Sequence, residues 1–280
     1  AVTALSKLDN LWHIKTDKQE YTSRFCIVSA GGKTYPALGS DGSGYALVAK
    51  LGHTIITPVV SAVPLVSKNP LSHLLQGEKM TMQVTARVGE KETATAIGDV
   101  MFTQYGFSGP AILDVSRDIS VRINREGKKD TGITLSFLPQ VSHEEAKSML
   151  KERLLQHPTF PVSHCLYGLL TQKASHAVCE VSKLPIERVA RDITEDEMSR
   201  LVDALTEYRA VVTDTRGWNE SEFTAGGIDT KEIQEKTLES KKIQGLYFAG
   251  EVLDVDGKIG GFNLSWAWAS GWVAGKIQTR

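Results

Sequence analysis

The spacing of apolar and polar residues predicts α/β structure at the start of the chain. Apolar and polar residues alternate over 11–15, and a short apolar run at 24–28 runs into a glycine-rich loop. We therefore expect these two segments to form a strand pair, the second strand being buried in a parallel sheet. A helix is predicted over 43–51, capped by Ser40 or Asp41.

The C-terminal segment has a similar pattern, a short apolar strand followed by a helix. Residues 245–251 form a short apolar run that ends in Gly-Glu, which predicts a buried strand. A Trp- and Ala-rich helix is predicted from about 263 to 277. Trp266, Trp268 and Trp272 are interpreted as packing residues of a buried helix.

Between these ends the pattern changes to β structure. Residues 80–88 and 93–102 alternate with period two and are predicted to form a hairpin. Residues 119–124 and 133–137 are predicted to form a second pair. A short helix is expected to begin at Ala111.

Residues 142–209 have a helical pattern. Ser142 with Glu145, and Thr194 with Glu197, have the spacing of a capping box at the start of a helix. A returning strand is predicted at 210–213.

These patterns of apolar and polar residues predict a mixed α/β (α+β) fold built from a discontinuous domain and an insertion. The discontinuous domain is expected to comprise 1–56 and 217–280, and the insertion 57–216. Within the insertion, 57–140 and 207–216 are expected to be β-rich and 141–206 helical.

Composition and charge narrow the class of protein. The chain has 32 basic and 33 acidic residues, a net charge of −1, which argues against a nucleic-acid partner. No apolar run is long enough for a membrane span. Three scattered cysteines, Cys26, Cys165 and Cys179, favour a reducing compartment, so we expect a cytoplasmic protein. No His or Cys spacing is typical of a metal site, and we expect none.

Two short glycine motifs do not qualify as phosphate-binding loops. Gly42-x-Gly44 has Leu47 where a dinucleotide fingerprint has its third glycine. Residues 32–34 match the end of a Walker A loop, but Ile27 stands at its leading glycine.

The segment around Gly250 and Glu251, followed by Gly260 and Gly261, has residues that could bind a ligand. An acidic side chain at the carboxyl end of a buried strand can accept hydrogen bonds from sugar or polyol hydroxyls. A glycine pair at a helix start lets free N–H groups approach an electron-rich ligand. The pattern fits a cofactor with a polyol chain and a carbonyl-bearing ring, or a tight turn before a packed helix.

Seven runs of residues together resemble one known family, the BaiN-like bacterial flavoproteins, which are NAD(P)/FAD-dependent oxidoreductases of the aminoacetone oxidase type. The resemblance covers essentially the whole chain and is carried by 29–33 (SAGGK), 38–40 (LGS), 42–45 (GSGY), 102–110 (FTQYGFSGP), 224–228 (TAGGI), 245–257 (GLYFAGEVLDVDG) and 260–264 (GGFNL).

The resemblance implies a glutathione-reductase-like FAD-binding domain with an inserted β-barrel-like domain that carries a helical subinsertion. It implies that the strand-end carboxylate contacts the ribityl chain of FAD and that the Gly-Gly-aromatic-Asn turn contacts the flavin ring. The cofactor-binding residues implied in this sequence are Ala30, Gly31, Gly32, Gly250, Glu251, Gly260, Gly261, Phe262 and Asn263.

One family feature is missing from the sequence. Members of the family begin with a strand and a GxGxxG loop that holds the FAD pyrophosphate, and no run in this chain matches it. We therefore expect a fragment that binds FAD weakly or not at all, since the lost hydrogen bonds and helix-dipole interaction contribute about 1 kcal/mol or more each.

The expected function is that of a fragment of an FAD-dependent oxidoreductase. The flavin would carry hydride or electron transfer to or from a small organic substrate, with NAD(P)H as a possible electron donor. No catalytic acid or base is identified, and Lys33, Tyr35, Tyr105 and Ser108 are candidate pocket residues. The alternatives are a non-catalytic ligand-binding or dimerisation module without FAD, and an RNA-modifying flavoenzyme, against which the net charge argues.

Overall fold

The computed structural model describes residues 1–276 of the chain. The strands are β1 (Val2–Leu8), β2 (Leu11–Thr16), β3 (Glu20–Ser23), β4 (Cys26–Val28), β5 (Ile55–Ser61), β6 (Leu65–Val66), β7 (Lys79–Val88), β8 (Lys91–Thr103), β9 (Gly106–Ser108), β10 (Thr131–Ser136), β11 (Tyr208–Val212), β12 (Asp214–Thr215), β13 (Phe223–Ile228) and β14 (Leu246–Phe248). The α-helices are α1 (Ser43–Lys50), α2 (Pro70–Leu74), α3 (Pro110–Ser120), α4 (His143–Gln156), α5 (Val162–Cys165), α6 (Gln172–Val181), α7 (Glu195–Thr206) and α8 (Phe262–Gly275).

The chain forms two compact units. The first contains residues 1–63 and the described residues from Gly217 onward, and the second contains Pro64–Arg216. The insertion was expected to begin at 57, whereas residues 57–63 lie in the first unit. The reason is that β5 pairs with β13, and the hydrogen bonds of that ladder hold the whole of β5 in this unit.

The first unit contains three small sheets. Strands β1, β2 and β3 form an antiparallel sheet, β5 pairs with β13, and β4 pairs with β14 in parallel. The prediction that 11–15 pairs with 24–28 was therefore wrong, because β2 pairs with its chain neighbours. The parallel pairing predicted for the second segment is confirmed by β4, but its predicted burial was wrong for Phe25 and Ile27, which are 43% and 42% exposed because the parallel sheet has only two strands. Trp12 is fully buried and donates from Nε1 to the carbonyl of Gly245, 3.0 Å away.

The second unit is built on a seven-stranded sheet with the order β11-β10-β7-β8-β9-β6-β12. Strands β7 and β8 form the predicted hairpin, with Met82 and Val84 buried against α3. The helical segment α4–α7 packs its apolar residues into the same core.

The predicted strand at 119–124 was wrong. Residue Ile119 lies in the last turn of α3, and the chain continues as a π-helix over Val121–Arg125. Ile112, Val115, Ile119 and Ile123 are all buried, and spacings of three and four residues place them on one helical face. Strand β10 pairs instead with β7 and β11.

Both predicted capping boxes are confirmed. Ser142 Oγ accepts from the N–H of Glu145, and the Glu145 carboxylate accepts from the N–H of Ser142, 2.9 Å away. Thr194 and Glu197 form the same reciprocal pair at the start of α7. For α1 the cap is Gly42, while the Asp41 carboxylate accepts from the N–H of Ser43.

Helix α8 differs from the buried helix that its composition predicts. Trp268 is 81% exposed and Trp272 66% exposed, whereas Trp266 is half-buried. The buried positions on this helix are Ser270 and Ala274. The small residues therefore contact the unit, and the two exposed tryptophans do not serve the packing role predicted for them. The last predicted residue of the helix, 277, lies outside the described residues.

A buried polar network joins the loop after α1 to residues 232–242. The His53 imidazole contacts Glu232 Oε2 through Nδ1 at 2.8 Å and Ser240 Oγ through Nε2 at 2.9 Å. The other Glu232 oxygen accepts from Lys242 Nζ at 2.6 Å. Ser240 Oγ also accepts from the N–H groups of Lys242 and Ile243, which uses both of its lone pairs. Its hydroxyl hydrogen is therefore directed to Nε2, which places the imidazole hydrogen on Nδ1.

Acid is expected to destabilise the protein through this network. Burial lowers the pKa of His53, so the folded protein favours the neutral imidazole. Burial alone would raise the pKa of Glu232, but hydrogen bonds from Lys242, Thr54 and His53 outweigh it and lower that pKa to about 2. A group whose folded pKa is depressed contributes stability above its unfolded pKa and loses it as the pH falls toward its folded pKa.

We expect the free energy of unfolding to fall first below about pH 6.5, where the imidazole of His53 takes up a proton in the unfolded chain, and again below about pH 4.5, where the Glu232 carboxylate does so. Urea unfolding measured across this range tests the expectation. His53→Gln removes the titrating imidazole, so its curve should lack the first fall and keep the second. An identical slope in the variant and the wild type near pH 6 would contradict this assignment.

No helix within residues 1–276 is both long and apolar enough to cross a membrane. In the same described residues, no three His, Cys, Asp or Glu side chains form a group that could hold a metal ion.

Candidate functional site

The parallel strands β4 and β14 place two loops side by side in the first unit. Val28 pairs with Phe248, and the N–H of Ala249 donates to the carbonyl of Val28 at 3.1 Å. The loops 29–32 and 249–251 follow directly. Ligands of open α/β sheets bind at the carboxyl ends of parallel strands, which makes this edge the candidate site.

The Glu251 carboxylate lies against Gly32 and Thr224. Its Oε1 accepts from the N–H of Thr224 at 2.7 Å, and the backbone of Gly32 also donates to the carboxylate. A Cβ on Gly32 would lie 2.7 Å from Glu251 Cδ and would collide with Thr224 Oγ1. A side chain at position 32 is therefore excluded as long as Glu251 keeps this position.

Burial raises the pKa of Glu251, and the nearby charge of Asp256 raises it further. The hydrogen bonds from Thr224 and Gly32 act in the opposite direction but do not cancel the effect of burial. A half-buried carboxylate with a raised pKa at a strand end is a typical feature of a functional site. Burial also raises the pKa of Tyr45, whose hydroxyl donates to the Glu251 carbonyl.

Helix α8 is fixed to the same loop. The N–H of Gly250 donates to Ser270 Oγ at 2.9 Å, and Trp266 Nε1 donates to the carbonyl of Gly250 at 3.2 Å. Gly250 has a φ of 77°, so its backbone is in the left-handed region that favours glycine. These bonds hold the turn that carries Glu251.

The predicted glycine turn begins α8. Gly261 is the N-cap with a φ of 92° and has no side chain to satisfy the first N–H groups of the helix. Asn263 bonds the loop before it, accepting from the N–H of Gly257 at 2.9 Å and donating to the Gly257 carbonyl at 3.0 Å. The side chain of Asn263 thus shapes the turn. Phe262 is largely exposed beside it, and Gly260 precedes it.

Residues Ala30 and Gly31 complete the set of predicted residues. Gly31 adopts a φ of 72°, and a Cβ on Gly44 of α1 would lie 2.6 Å from the Ala30 Cβ. Small residues at 30 and 44 therefore permit the close approach of α1 to this loop.

The donor and acceptor groups at these strand ends fit an FAD cofactor. A carboxylate can accept about four hydrogen bonds, so Glu251 retains acceptor capacity for hydroxyl groups beyond its two backbone partners. The first N–H groups of α8 lack an intrahelical acceptor and carry the positive end of the helix dipole. These N–H groups could donate hydrogen bonds to a carbonyl oxygen of the flavin ring.

Lys33 and Tyr35, two of the candidate pocket residues, lie around Trp218. The Lys33 ammonium is 5.1 Å from the centre of the Trp218 ring, and the N–H of Tyr35 donates to the Trp218 carbonyl at 3.1 Å. The N–H of Lys33 donates to Thr224 Oγ1 at 2.8 Å. Lys33 is thus tied through Thr224 to the residues around Glu251.

The other two candidate residues, Tyr105 and Ser108, belong to the second unit. Tyr105 lies in the turn between β8 and β9, with the Arg216 guanidinium 4.7 Å from its ring centre. Ser108 lies in β9 opposite Met101.

The sequence prediction missed Thr224, Trp218 and Arg216 as contact residues. Thr224 stands immediately before the Ala-Gly-Gly turn that the resemblance includes, so its position was indicated but its contact was not. Trp218 and Arg216 carry no motif, and the packing of the folded chain alone identifies them.

The fold and the strand-end loops together define an α/β domain of the Rossmann type. The chain matches the family described as HI0933-like protein Rossmann domain over residues 1–277. It belongs to that family.

Three known proteins with similar sequences are enzymes. The chain is 33% identical over 264 residues to a 3-dehydro-bile acid delta(4,6)-reductase of Clostridium scindens, covering 94% of this chain and 64% of that protein. It is 30% identical over 251 residues to a ribosomal RNA dihydrouridine synthase of Escherichia coli, covering 88% of this chain and 58% of that protein. A Haemophilus influenzae ribosomal RNA dihydrouridine synthase is 30% identical over 262 residues, with 93% and 61% covered. The chain thus spans about three fifths of the length of these curated relatives.

Proposed function

We propose that the chain forms the cofactor-facing part of an FAD-dependent oxidoreductase that reduces a small organic substrate. The observation that carries the proposal is the half-buried Glu251 carboxylate, held over Gly32 by two backbone N–H groups at the ends of parallel strands. The fold we propose is a glutathione-reductase-like FAD domain, with the second unit as its barrel-like insertion.

The names of the relatives support a particular bond as the target. A delta(4,6)-reductase acts on carbon–carbon double bonds, and a dihydrouridine synthase saturates a double bond of uracil. In both the double bond is conjugated with a carbonyl group. We therefore propose reduction of an activated double bond, with hydride supplied by the flavin and NAD(P)H as its donor.

The residues have distinct proposed roles. Glu251 would accept hydrogen bonds from the ribityl hydroxyls, and the N-terminus of α8 after Gly261 would face a flavin carbonyl. Gly32, which has no side chain, lets the Glu251 carboxylate pack directly against the loop after β4. Lys33 and Tyr35 would line the substrate side.

Removing the charge of Glu251 is expected to weaken FAD binding. Glu251→Gln should raise the Kd at least about tenfold, because a hydrogen bond to a charged group contributes about 1.5–3 kcal/mol. Flavin fluorescence anisotropy on the whole chain measures this effect. We expect weak but saturable binding in the wild type, since the chain has no GxGxxG loop.

Glu222→Gln is the matched control, because Glu222 is exposed near the start of β13 and makes no side-chain bond among the described residues. Its Kd should equal that of the wild type. An equal Kd in Glu251→Gln would contradict the assigned role, and the absence of saturable binding would favour a module without FAD.

Oxidation of NADPH-reduced flavin by 2-cyclohexenone but not by cyclohexanone tests the proposed reduction of an activated double bond.

A second candidate function is reduction of uridine in RNA, as the names of two relatives suggest. A groove of about 560 Å³ in the second unit supports it, since Arg87, Lys129 and Arg209 line it and outnumber the two acidic lining residues, Glu90 and Asp130. Gly132 pairs with Arg87 on one side and Val211 on the other, which leaves the floor of this face free of a side chain.

Binding of ribosomal RNA transcripts distinguishes the two candidates. RNA binding that weakens steeply with salt and is reduced in Arg87→Gln would favour the uridine enzyme. We favour the small substrate because the chain has no surplus of positive charge, and we expect no such binding.

A further inference from the structure

The second unit contains a cavity of about 540 Å³ that has no role in the proposed function. It lies between the turn joining β8 and β9 and the segment from β6 to α2. The N–H of Ser67 donates to the carbonyl of Tyr105 at 2.9 Å and closes one wall. The volume is in the range of pockets that hold small organic molecules.

Asn69 provides an oriented donor in this cavity. Its side-chain oxygen accepts from the N–H of Leu71 at 2.9 Å and from the Tyr208 hydroxyl at 2.7 Å, which fixes the amide. Asn69 is only 8% exposed, and its Nδ2 has no hydrogen-bond partner among the described residues. The amide N–H groups are therefore available to a ligand.

The cavity also has a positive charge at its rim, from Lys68, and an apolar interior. Lys68 and His73 line it, and neither forms a salt bridge within the described part of the chain. Val66, Pro70 and Tyr105 supply apolar surface. No Asp or Glu is among the described lining residues, so a negatively charged ligand group is not repelled by a carboxylate there.

We propose that this cavity binds an amphipathic carboxylate, with the apolar body against Val66, Pro70 and Tyr105 and the carboxylate toward Lys68 and His73. Asn69 would donate to one carboxylate oxygen. The identification of that carboxylate as a substrate rests on the proposed reductase function. The binding itself is measurable without flavin.

The walls favour a carboxylate over a phosphate group. Phosphate sites are typically built from successive free backbone N–H groups at a glycine-rich loop or a helix start. Here the N–H groups of Ser67 and Leu71 are already bonded to Tyr105 and Asn69.

Isothermal titration of the whole chain with octanoate and with octanamide tests the proposal, since the two probes differ in charge and share an apolar chain. We expect octanoate to bind more tightly than octanamide. Lys68→Met should weaken octanoate binding about three- to fivefold and leave octanamide unchanged, as expected for one partly exposed ion pair. Lys91→Met, an exposed lysine elsewhere in the unit, should change neither.

Gln104→Trp places a bulky side chain on the lining and should weaken both probes. Unchanged binding in this variant would locate the probes elsewhere and overturn the proposal. Equal affinity for the two probes, or competition by inorganic phosphate as strong as that by octanoate, would also overturn it. Loss of flavin reduction with intact octanoate binding would contradict the proposed function alone.

Discussion

Replacing Glu232 with alanine is expected to lower the free energy of unfolding by about 2–4 kcal/mol, because the buried imidazole of His53 and the N–H of Thr54 lose a charged hydrogen-bond acceptor. The His53 side chain is fully buried and Glu232 is 14% exposed, so solvent replaces little of what is lost. Lys242 and the N–H of Thr54 lose their carboxylate partner as well. Urea unfolding at pH 7.5 to about 8 measures the effect with His53 neutral.

Glu235→Ala is the control for this variant. Glu235 is three residues away, exposed and without a side-chain bond in the described structure, so its loss should change the free energy of unfolding by less than about 0.5 kcal/mol. Glu232→Gln should have an intermediate effect, because the amide oxygen can still accept from His53 or Thr54. Equal stabilities of Glu232→Ala and Glu235→Ala would show that the network does not stabilise the fold.

The second large effect is expected at Gly106, where alanine should cost about 3 kcal/mol or more. Gly106 has a φ of 144°, and a Cβ there would lie 2.7 Å from the N–H nitrogen of Ser67 and would collide with the carbonyl of Leu65. Both atoms are backbone, so no rotamer change relieves the contact. Strands β6 and β9 would have to separate, which also opens the wall formed by Ser67 and Tyr105.

Gly127→Ala separates the clash from the cost of a positive φ. Gly127 has a φ of 69°, and no atom lies within 4 Å of the position that a Cβ would take, so alanine there should cost only about 1 kcal/mol. Thermal unfolding of both variants provides the comparison. A similar loss in the two variants would mean that the approach of β6 to β9 adjusts freely.

Local patterns predicted several elements correctly because their causes are local. The capping boxes at Ser142 and Thr194 depend on residues three positions apart. The hairpin of β7 and β8 follows from two alternating runs joined by a short turn. At the candidate site, the sequence indicated the turns around Gly32 and Glu251, since glycine and acidic residues at strand ends form a recognisable pattern.

Other features depend on contacts between distant residues. The apolar residues at 119–124 are compatible with a strand or with a helix. The segment is helical because Ile119 and Ile123 lie on the face of the helix that packs against the sheet. The exposure of Trp268 and Trp272 could not be read from their apolar character, because burial depends on what covers the helix. His53 and Glu232 are 179 residues apart and carry no motif.

The sequence by itself determined the α/β and β-rich character of the segments, the two capping boxes, the family and the glycine turns beside Glu251. The tertiary structure alone decided which strands pair, that β5 belongs to the first unit, and which polar side chains meet in buried networks. The physical reason is the range of the interactions. Propensity, capping and periodicity act over a few residues, whereas hydrogen-bond ladders and burial join segments that only the folded chain brings together.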